Sequence, residues 1–271
     1  MLGLGNSLIT PQYRPFSSTH SVDFDGVDDY MDAGEHFSTV FDGSFTLSAW
    51  VKPDDGQPSS AGMFAGVADS DDGGSRISII LKSGGAAAGK VGFTYESNDG
   101  AYTDCETDSA VWSNGESTWK HIVATISETN GAMVIYVNGS SAGTATEDEN
   151  DDMSTYSADE ELYIGARNNN GSVNLPFAGL IDEFGIWNVA LSADKVADIY
   201  NGGIPHDLTT SLGAGVANYT TTNAKTDLQA YYRMGEGTES SSGTTVYDMS
   251  ANSNNGTLTN GPVFTSVGAS V

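Results

Sequence analysis

The stretch that most constrains this chain runs from Leu175 to Gly203, L-P-F-A-G-L-I-D-E-F-G-I-W-N-V-A-L-S-A-D-K-V-A-D-I-Y-N-G-G. Its first half reads as a strand, with Leu180, Asp182, Phe184 and Ile186 on one parity. A carboxylate on the core-facing side of a strand is costly unless it is paired, hydrogen-bonded or bound to a metal. Its second half reads as a short helix. Ser192 is the N-cap candidate, Leu191 and Val196 can form a hydrophobic staple, and Gly202 can close the C-terminus.

The rest of the chain supplies strands. Residues 20–34 read as two short strands around a turn at Asp25-Gly26. Phe45 to Pro53 alternates cleanly and ends at a proline. Met63 to Ala68, Arg76 to Lys82 and Lys90 to Glu96 follow at meander spacing, joined by Gly, Asp and Ser. Trp119 to Ser127 and Ala132 to Asn138 flank Asn130-Gly131, a hairpin-turn dipeptide, and Glu161 to Arg167 is a further strand. Many strands with one helix and no strand–helix alternation predict an all-β, two-sheet antiparallel jelly-roll sandwich.

Charge narrows the partners. There are 36 Asp plus Glu against 10 Lys plus Arg, a net charge of −26. That excludes a phosphate-binding surface for nucleic acid and docking on anionic lipid, and it favours hard cations such as calcium. No apolar run approaches the ~18 residues of a membrane helix, so no membrane insertion is expected. The N-terminus has no basic segment and no long apolar core, so no signal peptide is read there. A single cysteine, Cys105, excludes an intramolecular disulfide framework. It is read in a polar loop, with no His placed to activate it. His121 lies inside a strand and is read as structural.

Six motifs carry a resemblance: F-D-G-V-D-D-Y at 24–30, F-T-L-S-A-W-V-K-P at 45–53, T-W-K-H-I-V-A-T at 118–125, I-Y-V-N-G at 135–139, L-Y-I-G at 162–165 and G-L-I-D-E-F-G-I-W-N-V-A-L-S at 179–192. In that order they resemble the laminin-G-like, concanavalin A-like lectin/glucanase superfamily, over about residues 20–203. The resemblance implies a jelly roll of two curved sheets. Residues 1–19 are then an N-terminal arm, either docked or loose. Residues 227–261 resemble the segment that normally precedes the F-D-G strand. The segment 204–271 is therefore expected to complete the sandwich, within the chain or in a neighbouring subunit.

The resemblance also implies a structural calcium near Asp25, Asp28 and Asp182, with Asp29 as a further candidate, since calcium takes six to eight oxygens. The alternative is that Asp25 and Asp182 accept backbone N–H bonds and pin the turn without metal. The glucanase branch needs two glutamates flanking an aspartate on this strand, and Leu180 stands at the first of them. The two-carboxylate machinery of glycoside hydrolysis is thus missing a member, and no enzyme is expected. Sugar binding needs an exposed aromatic ring and amide or carboxylate partners. Asn98, Asp99, Tyr102, Trp112 and Asn169 are the candidates, with Trp112 alternatively packed under its own loop.

Three functions from different classes follow. The first is a non-enzymatic structural or adhesion protein of a virion or other extracellular assembly, either decorating a capsid or fibre-like, because chains with this segment order resemble marine tailed-phage structural proteins. Its expected partners are other subunits, further copies of itself as a homo-oligomer, and surface glycans. The second is a free carbohydrate-binding lectin, and the third a glycan-cleaving enzyme.

Overall fold

The computed structural model describes residues 18–68, 74–97, 102–146, 152–157, 160–205, 207–209, 227–235 and 243–269. The strands are β1 (Ser21–Asp25), β2 (Tyr30–Asp32), β3 (Phe45–Pro53), β4 (Gly62–Ala68), β5 (Arg76–Leu81), β6 (Val91–Glu96), β7 (Tyr102–Glu106), β8 (Lys120–Ile126), β9 (Ala132–Val137), β10 (Ser140–Thr146), β11 (Tyr163–Ile164), β12 (Arg167–Asn169), β13 (Ser172–Asn174), β14 (Ala178–Trp187), β15 (Leu228–Tyr232), β16 (Thr245–Val246), β17 (Gly256–Thr259) and β18 (Val263–Thr265). A single helical turn, α1, spans Ser38–Phe41, and the short helix α2 spans Ala193–Tyr200.

Two sheets form a sandwich. The first runs β10-β9-β8-β3-β14-β1-β18, with β15 also on β14; the second runs β16-β17-β2-β11-β4-β5-β6-β7, with β12 on β4 and β13 on β12. Every named pair is antiparallel except β12–β4. Between the sheets lies one core, fed by alternate residues: Phe45, Leu47, Ala49 and Val51 of β3, Ile77, Ile79 and Leu81 of β5, and Val91, Phe93 and Tyr95 of β6. This is the period of two that the sequence shows.

The strand read over Glu161 to Arg167 is split. Gly165 holds φ +85, and a Cβ there would stand 2.4 Å from Phe24. Only glycine lets the chain bend against that ring. In α2, Leu191 and Val196 pack in one cluster, as a staple requires, but Ser192 makes no side-chain cap bond. The helix closes at Asn201, in the left-handed conformation with its N–H on Ala197 O, one residue before the expected glycine.

The segment after Gly203 joins both sheets of its own chain. β15 pairs with β14, β17 with β2, and β18 with β1. One edge of β14 is shared, by β1 opposite residues 178–181 and by β15 opposite 184–187.

Between those halves β14 carries a bulge at Asp182 to Gly185, where Glu183 adopts φ +49. The bulge reverses the parity. Ile181 faces the core before it, and Phe184 and Ile186 face the core after it. Leu180 and Asp182 therefore point to the outer face, where Leu180 packs with Trp50. The expectation that Asp182 shares the core side of Phe184 is corrected: an extra residue in a strand flips every side chain beyond it.

Candidate functional site

Asp182 is fully buried, beneath residues near the two ends of the described chain. Its carboxylate accepts the Ser18 hydroxyl, the Ala269 N–H at 2.9 Å and the Glu183 N–H at 2.8 Å. Ser18 in turn accepts the Ala269 N–H at 3.0 Å, and Ser21 donates to Val267 O at 2.7 Å. One buried acid thus ties the start and the end of the described chain to the middle of β14. The neighbouring Glu183 accepts the Tyr231 hydroxyl, with Arg233 Nε at 3.7 Å. Burial first, then the Glu183 charge, pushes the Tyr231 phenol well above its ordinary pKa.

The other three acids do converge. Carboxylate oxygens of Asp25, Asp28 and Asp29 lie within 4.8 Å of one another, the one such group among the described residues. Asp182 is not with them. It sits four residues along β14 from Ala178, the partner of Asp25, or about 13 Å away. Within the turn Asp29 accepts the Asp25 N–H at 3.0 Å and Asp25 accepts the Val27 N–H at 2.8 Å. Among the described residues no Lys or Arg pairs with the three. Burial, and then the charges of Asp25, Asp28 and Asp23, raise the Asp29 carboxyl above its ordinary range, against the lowering bond from the Asp25 amide. An all-oxygen set with uncompensated negative charge fits a hard cation.

The glycan candidates separate. Asn98 and Asp99 lie outside the described residues. Trp112 is a correction: it is 1% exposed, packs edge-on to Phe64, and donates its indole N–H to Thr118 O at 2.8 Å. It closes its own loop and cannot stack on a ligand. Cys105 is also relocated, from loop to the core side of β7, where burial raises its thiol pKa to about 11. That thiol is inert at neutral pH. His121 is buried, bonded to Ser48 at 2.9 Å, stacked on Tyr200 and tilted against Trp50, a structural residue as read.

Tyr102 is the exposed aromatic, at 58%. It stands on the outer face of the second sheet. A cross-strand row runs Asn169–Ala68–Arg76–Glu96–Tyr102. Asn169 is thus on Tyr102's face but four strands away, about 19 Å, so the two do not meet at one sugar. Beside Tyr102 lies a groove of about 270 Å³, lined among others by Arg76, Ile80, Lys82, Thr94, Asp104 and Arg167. The Arg76 guanidinium sits 5.3 Å from the centre of the Tyr102 ring, within cation–π reach. Arg76 pairs with Glu96 at 2.8 Å, and Lys82 with Glu106 at 3.1 Å. Hydrogen bonds from Lys90 and then Lys82 hold the Glu106 carboxyl below its ordinary range.

Sequence reasoning missed the basic residues here. A signal was present: Arg76, Ser78, Ile80 and Lys82 alternate with the core residues Ile77, Ile79 and Leu81. A second cavity, of about 230 Å³, opens beside the Asp25 turn; Asp54 and Asp55 line it, and its one aromatic, Phe177, is buried. It has no ring to offer a sugar.

This architecture, with one sheet face left open and an aromatic on it, defines a lectin-type β-sandwich. Residues 25–197 match the laminin-G-type family described as the concanavalin A-like lectin/glucanases superfamily, and the chain belongs to it. No curated protein matches the sequence. Among solved structures, it is similar to a candidate carbohydrate-binding protein of Bacteroides ovatus, at TM-score 0.65 and 18% identity over 95% of this chain. The chain spans 62% of that protein's length. It is also similar to the CBM40 module of a Ruminococcus gnavus sialidase, at TM-score 0.55 and 14% identity, covering 68% of this chain and all of that one. The NanB sialidase of Streptococcus pneumoniae matches at TM-score 0.53 and 19% identity, over 74% of this chain and 30% of the enzyme. At these identities the likeness is one of fold.

Proposed function

We propose that this chain is a non-enzymatic, glycan-binding adhesion or structural subunit of a virion or comparable extracellular assembly. The observation that carries the glycan reading is Tyr102, an exposed ring at an open groove of mixed lining, with the apolar Met63, Ile80 and Leu175 beside charged and hydroxyl groups. A sugar's apolar face stacks on such a ring while its hydroxyls bond the rim. The similar R. gnavus module is described bound to α2,6- and α2,3-sialyllactose, which accords with a saccharide on this fold.

The absence of catalysis is supported by the strand L-I-D-E-F. Leu180 replaces the first acid, and Asp182 and Glu183 are both buried beneath the first sheet's covering, remote from the groove. A glycosidase needs its two carboxylates at the scissile bond. The assembly role rests on the resemblance of segment order to phage structural proteins. Asp25, Asp28 and Asp29 would hold a structural calcium, which supplies the positive charge the turn lacks.

The test is binding to immobilised glycans by the wild type and Tyr102→Ala. Binding lost in the variant, with no release of reducing sugar by either, is the expected outcome. Reducing-sugar release abolished by Glu183→Gln overturns the non-enzyme reading, and unchanged binding by Tyr102→Ala overturns the site.

A further inference from the structure

The groove's charge is at odds with the rest of the chain. Of ten Lys and Arg set against 36 acids, three, Arg76, Lys82 and Arg167, line this one groove. Two of them are matched to Glu96 and Glu106. Arg167 has no carboxylate partner among the described residues. Its Nη2 donates to the neutral Asn174 Oδ1 at 2.6 Å, while its Nε is buried without an acceptor, as is Nε of Arg76.

The position of Arg167 is built. Its stem lies across β4 over Gly66, where a Cβ would stand 3.2 Å from Arg167 Cγ and 3.1 Å from Ile77 O. A Cβ at 66 would crowd the Arg167 stem and make it shift. Arg167 is opposite Gly66 in register, and Gly66 is opposite Ser78, so the side chain is directed toward β5 and Arg76. Burial, and then the charge of Arg76, lowers the Arg167 pKa, so the two guanidinium groups repel. An unmatched, half-buried cation beside a second cation costs stability. In a chain this rich in carboxylates a matching acid would relieve that cost, and among the described residues none pairs with Arg167; the acid that lines the groove, Asp104, accepts the Thr94 hydroxyl.

We propose that the groove selects an acidic saccharide, one carrying a carboxylate or a sulfate, with Arg167 and Arg76 holding the anionic group and Tyr102 stacking on the ring. The inference rests on the glycan reading above and names its ligand class. A planar guanidinium fork matches both anions through paired N–H bonds, which a lysine does not.

The experiment titrates the full-length chain calorimetrically with oligogalacturonate, with a sulfated galacto-oligosaccharide and with a neutral galacto-oligosaccharide of the same length. At least one acidic ligand should bind tenfold or more tightly than the neutral one, and which acidic arm binds distinguishes carboxylate from sulfate. Arg167→Gln should lower that affinity tenfold or more with the melting temperature kept, and Arg167→Lys should recover only part of it. Should Arg167→Gln fail to fold, Arg76→Gln provides the same reading. Equal affinity for neutral and acidic ligands, or an unchanged affinity in Arg167→Gln and Arg76→Gln, overturns this inference and leaves glycan binding standing. No binding to any of the three, nor to a broad panel of neutral and acidic glycans, removes both.

Discussion

The two sheets share an inner face and differ on their outer ones. On β3 and β8 the outward residues Ser48, Trp50, His121 and Val123 are all buried. Helix α2 and the segment beyond it cover that side, packing Val196, Ile199, Leu208, Leu228 and Tyr231 around Val123 and Trp187. On β5 to β7 the outward residues Arg76, Ile80, Thr94, Tyr102 and Asp104 line an open groove. The periodicity of the strands is the same on both sides. What differs is whether the remaining chain is laid across the face. The covered face is filled with aromatics that serve stability, and the open one carries the exposed ring of Tyr102 beside its cations.

Removing residues 204–271 gives the largest effect expected from that contrast. It uncovers Trp187 and Val123 and frees edges of β14, β1 and β2 together. Insoluble protein is the expected outcome, read by sedimentation of the lysate. A soluble, monomeric and equally stable truncation would erase the distinction between the faces. If the segment serves its own chain, the full-length protein should also stay a folded monomer on dilution, by light scattering.

Asp182→Ala removes the acceptor that ties Ser18 and Ala269 to β14. Losing charge-assisted bonds at a buried site costs about 2–3 kcal/mol. That is a melting temperature lower by about 4–12 °C for a domain of this size. On the open face, Tyr102→Ala should leave the calorimetric melting temperature within about 1 °C. Its glycan affinity should fall about tenfold, a stacking contribution of roughly 1.4 kcal/mol. A Tyr102→Ala protein that melts early would show that this face, too, is structural.

The smallest effect lies at the acidic turn. At millimolar calcium and the weak affinity usual for extracellular sites, occupancy by Asp25, Asp28 and Asp29 adds about 1 kcal/mol, lost on EDTA and regained with calcium. The pH dependence has a defined sign. Asp29 is raised in the folded state, so the metal-free fold binds its proton more tightly than the unfolded chain does. Its contribution to stability therefore grows as pH falls through the folded pKa and is lost as pH rises. Calcium needs the ionised form and should reverse that slope. Melting curves in EDTA and in calcium across acidic pH check both, and superimposable curves remove the site.

Much of this molecule was legible from residue order. Clean alternation placed β3, meander spacing placed β5 and β6, and the segments flanking Asn130-Gly131 placed β8 and β9, with Gly131 in the left-handed region at φ +61. The acids of the first turn came instead from the family resemblance, which set Asp25 and Asp28 with Asp182 and added Asp29 as a further candidate. Local pattern suffices for the strands and the hairpin because they depend on neighbours two to five residues apart.

What only the tertiary structure decided is the side on which a residue ends. The bulge at Glu183 set Asp182 on the outer face, where it clamps Ser18 and Ala269, residues 164 and 87 positions distant. Trp112, in a polar segment that suggested exposure, was drawn under its own loop by Phe64 and Thr118. Arg76 and Arg167 became neighbours across β4 because Gly66 leaves room between them. Strand periodicity is a short-range property, whereas face, partner and cover arise from contacts between segments far apart in the chain, which alternation does not encode.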